Sequence, residues 1–275
     1  MMKFKREEKF NNIRFVSQAE IARLLGGGVH TLQSLENFCG SSSVRLKVQS
    51  LAKKDLGITR EKTSILGNSN QYLYKLERDK IEFDEVYENS AISLGVYYLR
   101  ESLGLMLSGI TPISSVMPAK FRGFLPFGVD SEGKTHYADL RFSFFNEQSV
   151  NVHEFVHDDK TVVDVIIFEN SRVFNTFQHS VRANELGKDF ENQVWIVLDA
   201  ADADFSSKGT EATIVANKKV VSDRDSFISA FDDDVILTTK DKFYESVEAN
   251  YKKGLENAEK FKEAMEKGKQ RKAAE

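Results

Sequence analysis

The sequence predicts an α+β fold: a central antiparallel β-sheet with N-terminal helices and a long C-terminal amphipathic helix. Three observations predict it. Helix-period apolar spacing recurs over the first hundred or so residues, and β-branched and aromatic runs separated by turn residues fill the middle. A proline-free, Lys/Glu-rich stretch with regularly spaced apolar residues closes the chain. With 275 residues, 41% of them hydrophobic, the chain is long enough to bury a sizeable core. Composition divides it into basic, mainly helical residues 1–62, a loop and long helix over 63–118, a β-rich core over 119–239 and a C-terminal helix over 240–275.

Residues 17–26 and 29–38 read as two short helices around Gly26-Gly27-Gly28, because glycine disfavours helix and opens turns. Residues 42–56 read both ways: Val44, Leu46 and Val48 alternate like a strand, then Leu51 and Leu56 do not. Gly67-Asn68-Ser69-Asn70 is a loop. Tyr87, Ala91, Leu94, Tyr98 and Leu105 follow a helix period between Asp84 and Ser108, with Gly109 and Pro112 as stops. Residues 121–129 and 135–145 flank a hairpin turn at Asp130-Ser131-Glu132-Gly133, and 149–157 and 161–168 flank Asp158-Asp159-Lys160. The run Val162–Phe168 is strongly β-branched. Residues 171–186 read as a helix capped by Asn170 or Ser171 and stopped at Gly187. Residues 193–198 read as a buried strand, with shorter strands near 211–216 and 234–238. Finally Phe243, Val247, Tyr251, Leu255, Ala258, Phe261 and Met265 recur about every 3.7 residues, after a capping-box-like Thr238 and Asp241. Such a helix needs a surface to cover, its own core or a second copy of itself, so a homodimer is expected.

Charge is uneven. The net charge is −4, yet residues 1–62 hold 12 Lys/Arg against 6 Asp/Glu, and the remainder holds 26 against 36. The acids cluster in two stretches: Glu77, Asp79, Glu82, Asp84, Glu85 and Glu88, then Asp199 to Asp234. No stretch approaches the roughly 18 consecutive apolar residues of a membrane span, and Met1–Glu7 lacks an apolar signal core. A soluble cytoplasmic protein is expected. The single Cys39 excludes an intramolecular disulfide and a Cys-based zinc cluster, and beside Phe38 it reads as core.

Catalytic patterns are scarce. There is no G-x-x-x-x-G-K-[ST], G-x-G-x-x-G or G-x-S-x-G. Asp199 ends a buried strand and Asp202 and Asp204 follow, but Ser207 and Thr213 stand where a calcium loop needs Gly and Glu. His30, His136 and His179 are isolated. His153-Glu154-Phe155-Val156-His157 matches the H-E-x-x-H of zinc metalloproteases, and Asn184-Glu185 resembles the downstream ligand helix of thermolysin-like members. That chemistry needs a helix. On the strand expected here, the two histidines stand roughly 13 Å apart, too far to share one zinc. No catalytic residue, metal or cofactor is therefore expected.

Residues 17–37 resemble the helix-turn-helix of Cro-like repressors, with Ala22 and Gly26 at that family's small positions and Ile21, Leu25, Leu32 and Leu35 at its core positions. The resemblance implies a recognition helix over 28–36, with Gln33 and Ser34 near base edges. Gly27 and Gly28 depart from the pattern.

The whole chain resembles the degradosome-interacting proteins of giant bacteriophages. The likeness lies in its size, its Phe/Lys/Asn-rich composition, its lack of an active-site motif and its acidic stretches at 77–88 and 199–234. The resemblance implies a viral, homodimeric, non-enzymatic inhibitor. Such a protein covers the RNA-binding sites of host ribonuclease E with acidic surface patches, without contacting nucleic acid or membrane. The contacts it implies are Asp202, Asp204, Asp223, Asp225, Asp232, Asp233 and Asp234, together with Glu77, Asp79, Glu82 and Asp84.

Overall fold

The run Val162–Phe168 is apolar at almost every position, so as a strand it must bury both faces. It does so: Val163, Val165 and Ile167 enter one core, and Ile166 and Phe168 enter another. The computed structural model describes residues 3–5, 10, 14–54, 57–63, 71–105, 107–113, 120–129, 135–146, 162–183, 190–199, 205, 210–231, 256 and 260. Within them the N-terminal elements are β1 (Phe4–Lys5), α1 (Gln18–Gly26), β2 (His30–Thr31), α2 (Leu32–Cys39) and α3 (Val44–Lys53). Strands β3 (Ile58–Thr63) and β4 (Gln71–Leu76) precede α4 (Phe83–Tyr97), which runs on into a π-helical turn at Tyr98–Ser102. Then come β5 (Ser108–Ile113), β6 (Lys120–Val129), β7 (Thr135–Phe145), β8 (Val162–Phe168) and α5 (Ser171–Ala183). The last are β9 (Gln193–Asp199), β10 (Glu211–Ala216), β11 (Lys219–Val221) and α6 (Arg224–Ile228).

The main sheet has the order β1-β10-β9-β8-β7-β6-β5, with β11 also pairing β10. Its outer pairs are antiparallel, but β8 is parallel to both β7 and β9. The sheet is therefore mixed, which corrects the antiparallel expectation. The physical cause of the β8–β9 pair is α5. Asn170 Oδ1 accepts the N–H groups of Arg172 and Val173 at 3.0 Å, which caps a helix directly after β8. That helix returns the chain to the end of the sheet where β8 began, and a crossover of that length produces a parallel pair. Both edges of β8 are thus filled, and neither neighbour is a hairpin partner. The expected strands 149–157 and 234–238 and the H-E-x-x-H residues lie outside the described residues. So does the C-terminal helix over 240–275, except for Glu256 and Lys260, which are helical and exposed.

One face of the sheet packs on α5, where Phe145, Phe168, Phe177 and Trp195 meet edge to face or tilted. The other face packs on α4. From Asn89 to Tyr97 every residue of α4 is buried, because α2 covers the side that the sheet does not. Close approach to the sheet depends on Gly95: a Cβ there would stand 2.4 Å from Ile167 Cδ1 and 3.4 Å from Ile196 Cδ1. The side toward α2 is polar, and most of its groups are paired, Asn89 Oδ1 being the buried exception. Asn37 Nδ2 donates to Ser93 Oγ at 3.3 Å, and Ser34 Oγ donates to the Asn89 carbonyl at 3.3 Å. Ser90 and Ser93 Oγ donate back to carbonyls of their own helix at 2.8 Å. Past Tyr97, the half-buried Arg100 donates to the Asn37 and Phe38 carbonyls at 2.9 Å, closing the C-terminus of α2.

Several expectations change in detail. The stretch that read both ways is helical over Val44–Lys53: Val44, Val48 and Leu51 are buried one and two turns apart, while Leu46, which suggested alternation, is 74% exposed. The α4 helix and its π turn stop before Gly104, at φ +63°, and Pro112 lies inside β5. A second sheet, β2-β4-β3, was not expected. Strands of the main sheet come from three of the four compositional segments, since β1 pairs with β10 and β5 with β6.

The Gly95 contact gives a direct test. Gly95→Ala is expected to destabilise the protein by about 1–2 kcal/mol, overpacking outweighing the gain in helix propensity. Ile167→Val removes the closest methyl, so denaturant melts of the double variant should show the two changes offsetting each other rather than adding.

Candidate functional site

The first acidic stretch lies in the turn that leads from β4 into α4. Glu77 is exposed, Asp79 is half-buried, Glu82 is the exposed N-cap residue, and Asp84 is exposed in the first helical turn. Carboxylates there complement the positive end of the helix dipole, which explains part of their presence locally. Glu85, one residue on, is turned inward, where its Oε1 accepts the Val29 N–H at 2.9 Å. Burial pushes the Glu85 carboxyl above its usual range, the Val29 N–H opposes this, and the charges of Asp79 and Glu82 raise it further. Glu77, Glu82 and Asp84 make no ion pair among the described residues, whereas Asp79 has only Arg78, at 3.8 Å.

Aromatic rings build the rest of this edge. Phe83, 43% exposed, stacks on Tyr87 at 5.6 Å, and Tyr87 also packs against Phe144. The Tyr87 hydroxyl donates to Glu169 Oε1 at 2.6 Å. Burial first, and then this bond to a carboxylate, push the Tyr87 hydroxyl pKa well up, so it stays protonated. Glu169 directly follows β8, so the edge sits where the central parallel strand ends. Phe205, buried and at φ +50°, packs on Tyr87 with centroids 4.9 Å apart. It immediately follows Asp204 in the sequence.

The remaining acidic candidates divide clearly. Asp202, Asp204, Asp232, Asp233 and Asp234 lie outside the described residues. Asp223 caps α6: it accepts the Ser226 N–H at 2.8 Å, and these hydrogen bonds hold its carboxyl below its usual range. Asp225 is exposed in the same short helix, which packs on β11. The structure therefore gathers Glu77, Asp79, Glu82 and Asp84, and gives Asp223 a structural task. Glu169, Tyr87 and Phe205 were missed by the sequence reading. The i, i+4 spacing of Phe83 and Tyr87, and a lone Phe within the second acidic stretch, were the available signals.

The expected recognition helix is largely covered. Ser34 is 2% exposed and Leu35, Glu36 and Asn37 are buried, with Ser34 and Asn37 bonded to α4, while Gln33 bonds along its own helix to Asn37. A helix so covered presents no face to a DNA groove. Gly28 departs from the repressor pattern for a local reason: its φ is +141°, and a Cβ there would lie 2.0 Å from Glu85 Oε1. His30 is fully buried between the Leu24 carbonyl, 3.0 Å away, and Ser34 Oγ, 3.2 Å away. Cys39 is buried and its thiol is pushed up to about 12, as expected of core and not of a nucleophile. No group of three metal-ligating side chains occurs among the described residues, and no helix there is long and apolar enough to cross a membrane.

Compared with models of known families, with curated proteins and with solved structures, the chain matches none.

His30 makes the α1–α2 junction pH-sensitive. Burial pushes its pKa down to about 4, only partly opposed by the Leu24 carbonyl. The folded state thus keeps it neutral while the unfolded chain takes up a proton below about 6.5. Stability should fall as pH drops from about 6.5 to about 4, by on the order of 3 kcal/mol. Glu85, with its raised pKa, works in the opposite sense. The difference between urea melts of wild type and His30→Gln across this window isolates the proton-linked part, and should stop changing with pH above about 7.

Proposed function

We propose that the protein acts by binding rather than by catalysis: its acidic edge engages a basic protein segment and keeps that segment from RNA. The partner implied by the resemblance to phage degradosome-interacting proteins is an RNA-binding site of host ribonuclease E. One observation carries the reading. Glu77, Glu82 and Asp84 are exposed together without ion-pair partners among the described residues, beside a half-exposed Phe83. Burial is the main cause that raises the neighbouring Glu85 carboxyl, and the charges of Asp79 and Glu82 add to it. Carboxylates arrayed on rigid secondary structure complement a basic groove, speed encounter and exclude a competing polyanion. An aromatic ring beside them offers an anchor for an arginine or lysine stem. The periodic stretch over 240–275 supports pairing of two copies, which doubles the acidic surface presented.

Binding to the RNA-binding region of ribonuclease E, followed by calorimetry at rising salt, tests this. The expected result is binding that weakens steeply with salt and is displaced by RNA. Glu82→Lys with Asp84→Lys should weaken it by about tenfold or more, since each exposed charge contributes up to about 1 kcal/mol. Charge reversal at Asp232, Asp233 and Asp234 asks whether the second stretch shares the contact. No binding at low salt, or binding indifferent to Glu82 and Asp84, would remove this reading.

A further inference from the structure

The N-terminal helical lobe carries a surface of opposite chemistry, independent of the acidic edge. Residues 14–54 contain only two carboxylates, Glu20 and Glu36, and both are engaged: Glu20 by Arg14, and Glu36 by Arg45 at 3.6 Å. Arg23, Lys47, Lys53 and Lys54 are left with no carboxylate partner among the described residues, and all but Lys47 are well exposed. With Asp55 counted, residues 14–55 hold six Lys/Arg against three carboxylates, a net charge of +3, so the lobe carries a positive field. Within it sit the two most exposed large apolar side chains described, Phe15 at 84% and Leu46 at 74%. Beside Phe15 stands Lys47, whose ammonium is 3.7 Å from the centre of the ring and also donates to the Val16 carbonyl. One face of Phe15 is thus held by a cation while the ring stays open to solvent.

We propose that this surface binds single-stranded nucleic acid, with a base stacked on Phe15 and phosphates on Lys47, Lys53, Lys54 and Arg23. An open aromatic ring amid unpaired cations suits a strand whose bases are unstacked, because every base offers a π-face and every nucleotide a phosphate. A duplex hides its bases from such a ring. An anionic bilayer would need a larger apolar wedge than two side chains for stable attachment. The location differs from the recognition helix suggested by the repressor resemblance, because α2 is buried and the basic residues are on α1, α3 and the cap of α3. It also departs from the expectation that the protein makes no direct nucleic-acid contact.

The test uses the full-length protein alone, so its outcome is separate from that of the ribonuclease E experiment. A labelled 12-nucleotide oligouridine is titrated by fluorescence anisotropy from about 50 to 300 mM salt. A duplex of equal length, heparin and phosphatidylglycerol vesicles serve as comparisons. Expected is saturable oligouridine binding whose log affinity falls with log salt at a slope of about −3, as four phosphate contacts on a single strand imply. Phe15→Ala should weaken oligouridine binding about tenfold and leave heparin binding unchanged. Lys53→Glu and Lys54→Glu should each flatten the salt slope by roughly one contact. These side chains are exposed, so thermal melts of the variants should match wild type. Absence of oligouridine binding at 50 mM salt overturns the proposal. So does a Phe15→Ala effect equal for heparin and oligouridine, or Phe15-dependent binding confined to vesicles.

Discussion

The structure depends on a helix that has no solvent side through most of its length. From Asn89 to Tyr97, α4 is enclosed by the sheet and by α2, so each of its residues must fit or be satisfied internally. A glycine permits contact with Ile167, serines return their hydroxyls to the helix backbone, and Asn89 Nδ2 donates to the Val29 carbonyl at 2.9 Å. An unsatisfied polar group in such a place costs about 1–3 kcal/mol, several times the net gain from a single extra bond. The N-terminal lobe is therefore tied to the sheet by a seam that tolerates little change. Tyr98 extends the tie by donating to the Thr210 carbonyl at 2.9 Å, just ahead of β10.

Enclosing α4 also decides where function can sit. Only its first turn emerges, and there the chain concentrates carboxylates and a half-exposed Phe83. Glu85 joins the two regimes: one side of it belongs to the buried seam through Val29, and the other senses Asp79 and Glu82. On the helical lobe the local carboxylates are neutralised by arginines, so that surface stays positive. The small net charge thus conceals two separated surfaces of opposite sign on one frame.

Much of the frame was legible from residues. Val162–Phe168, Gln193–Leu198 and Glu211–Ala216 are strands where β-branched runs place them, and Asn170 caps α5 as its side chain suggests. Strand direction was not legible, because an apolar run buried on both faces fits either direction until its crossover is known. Leu46 misled by alternating with Val44 and Val48 over too few residues to separate a period of two from one of 3.6. Short strands such as β2 and β3 carry mainly polar residues, so pairing and not pattern reveals them. At the candidate site, charge clustering was visible in the sequence. The role of Asp223 as a cap, the bond from Tyr87 to Glu169 and the anchoring of Phe205 were not, since they join residues far apart in the chain.

The central claim is that the emergent first turn of α4 is the surface that meets the basic partner. Hydrogen exchange of the protein alone and saturated with the RNA-binding region of ribonuclease E addresses it most directly. Amides at a helix start open locally and exchange early, so a contact there is readable. The account predicts new protection over residues 77–87 and around Phe205, with 89–97 already slow in the free protein and 14–54 unchanged. Protection confined to other segments, or none at saturation, would contradict it.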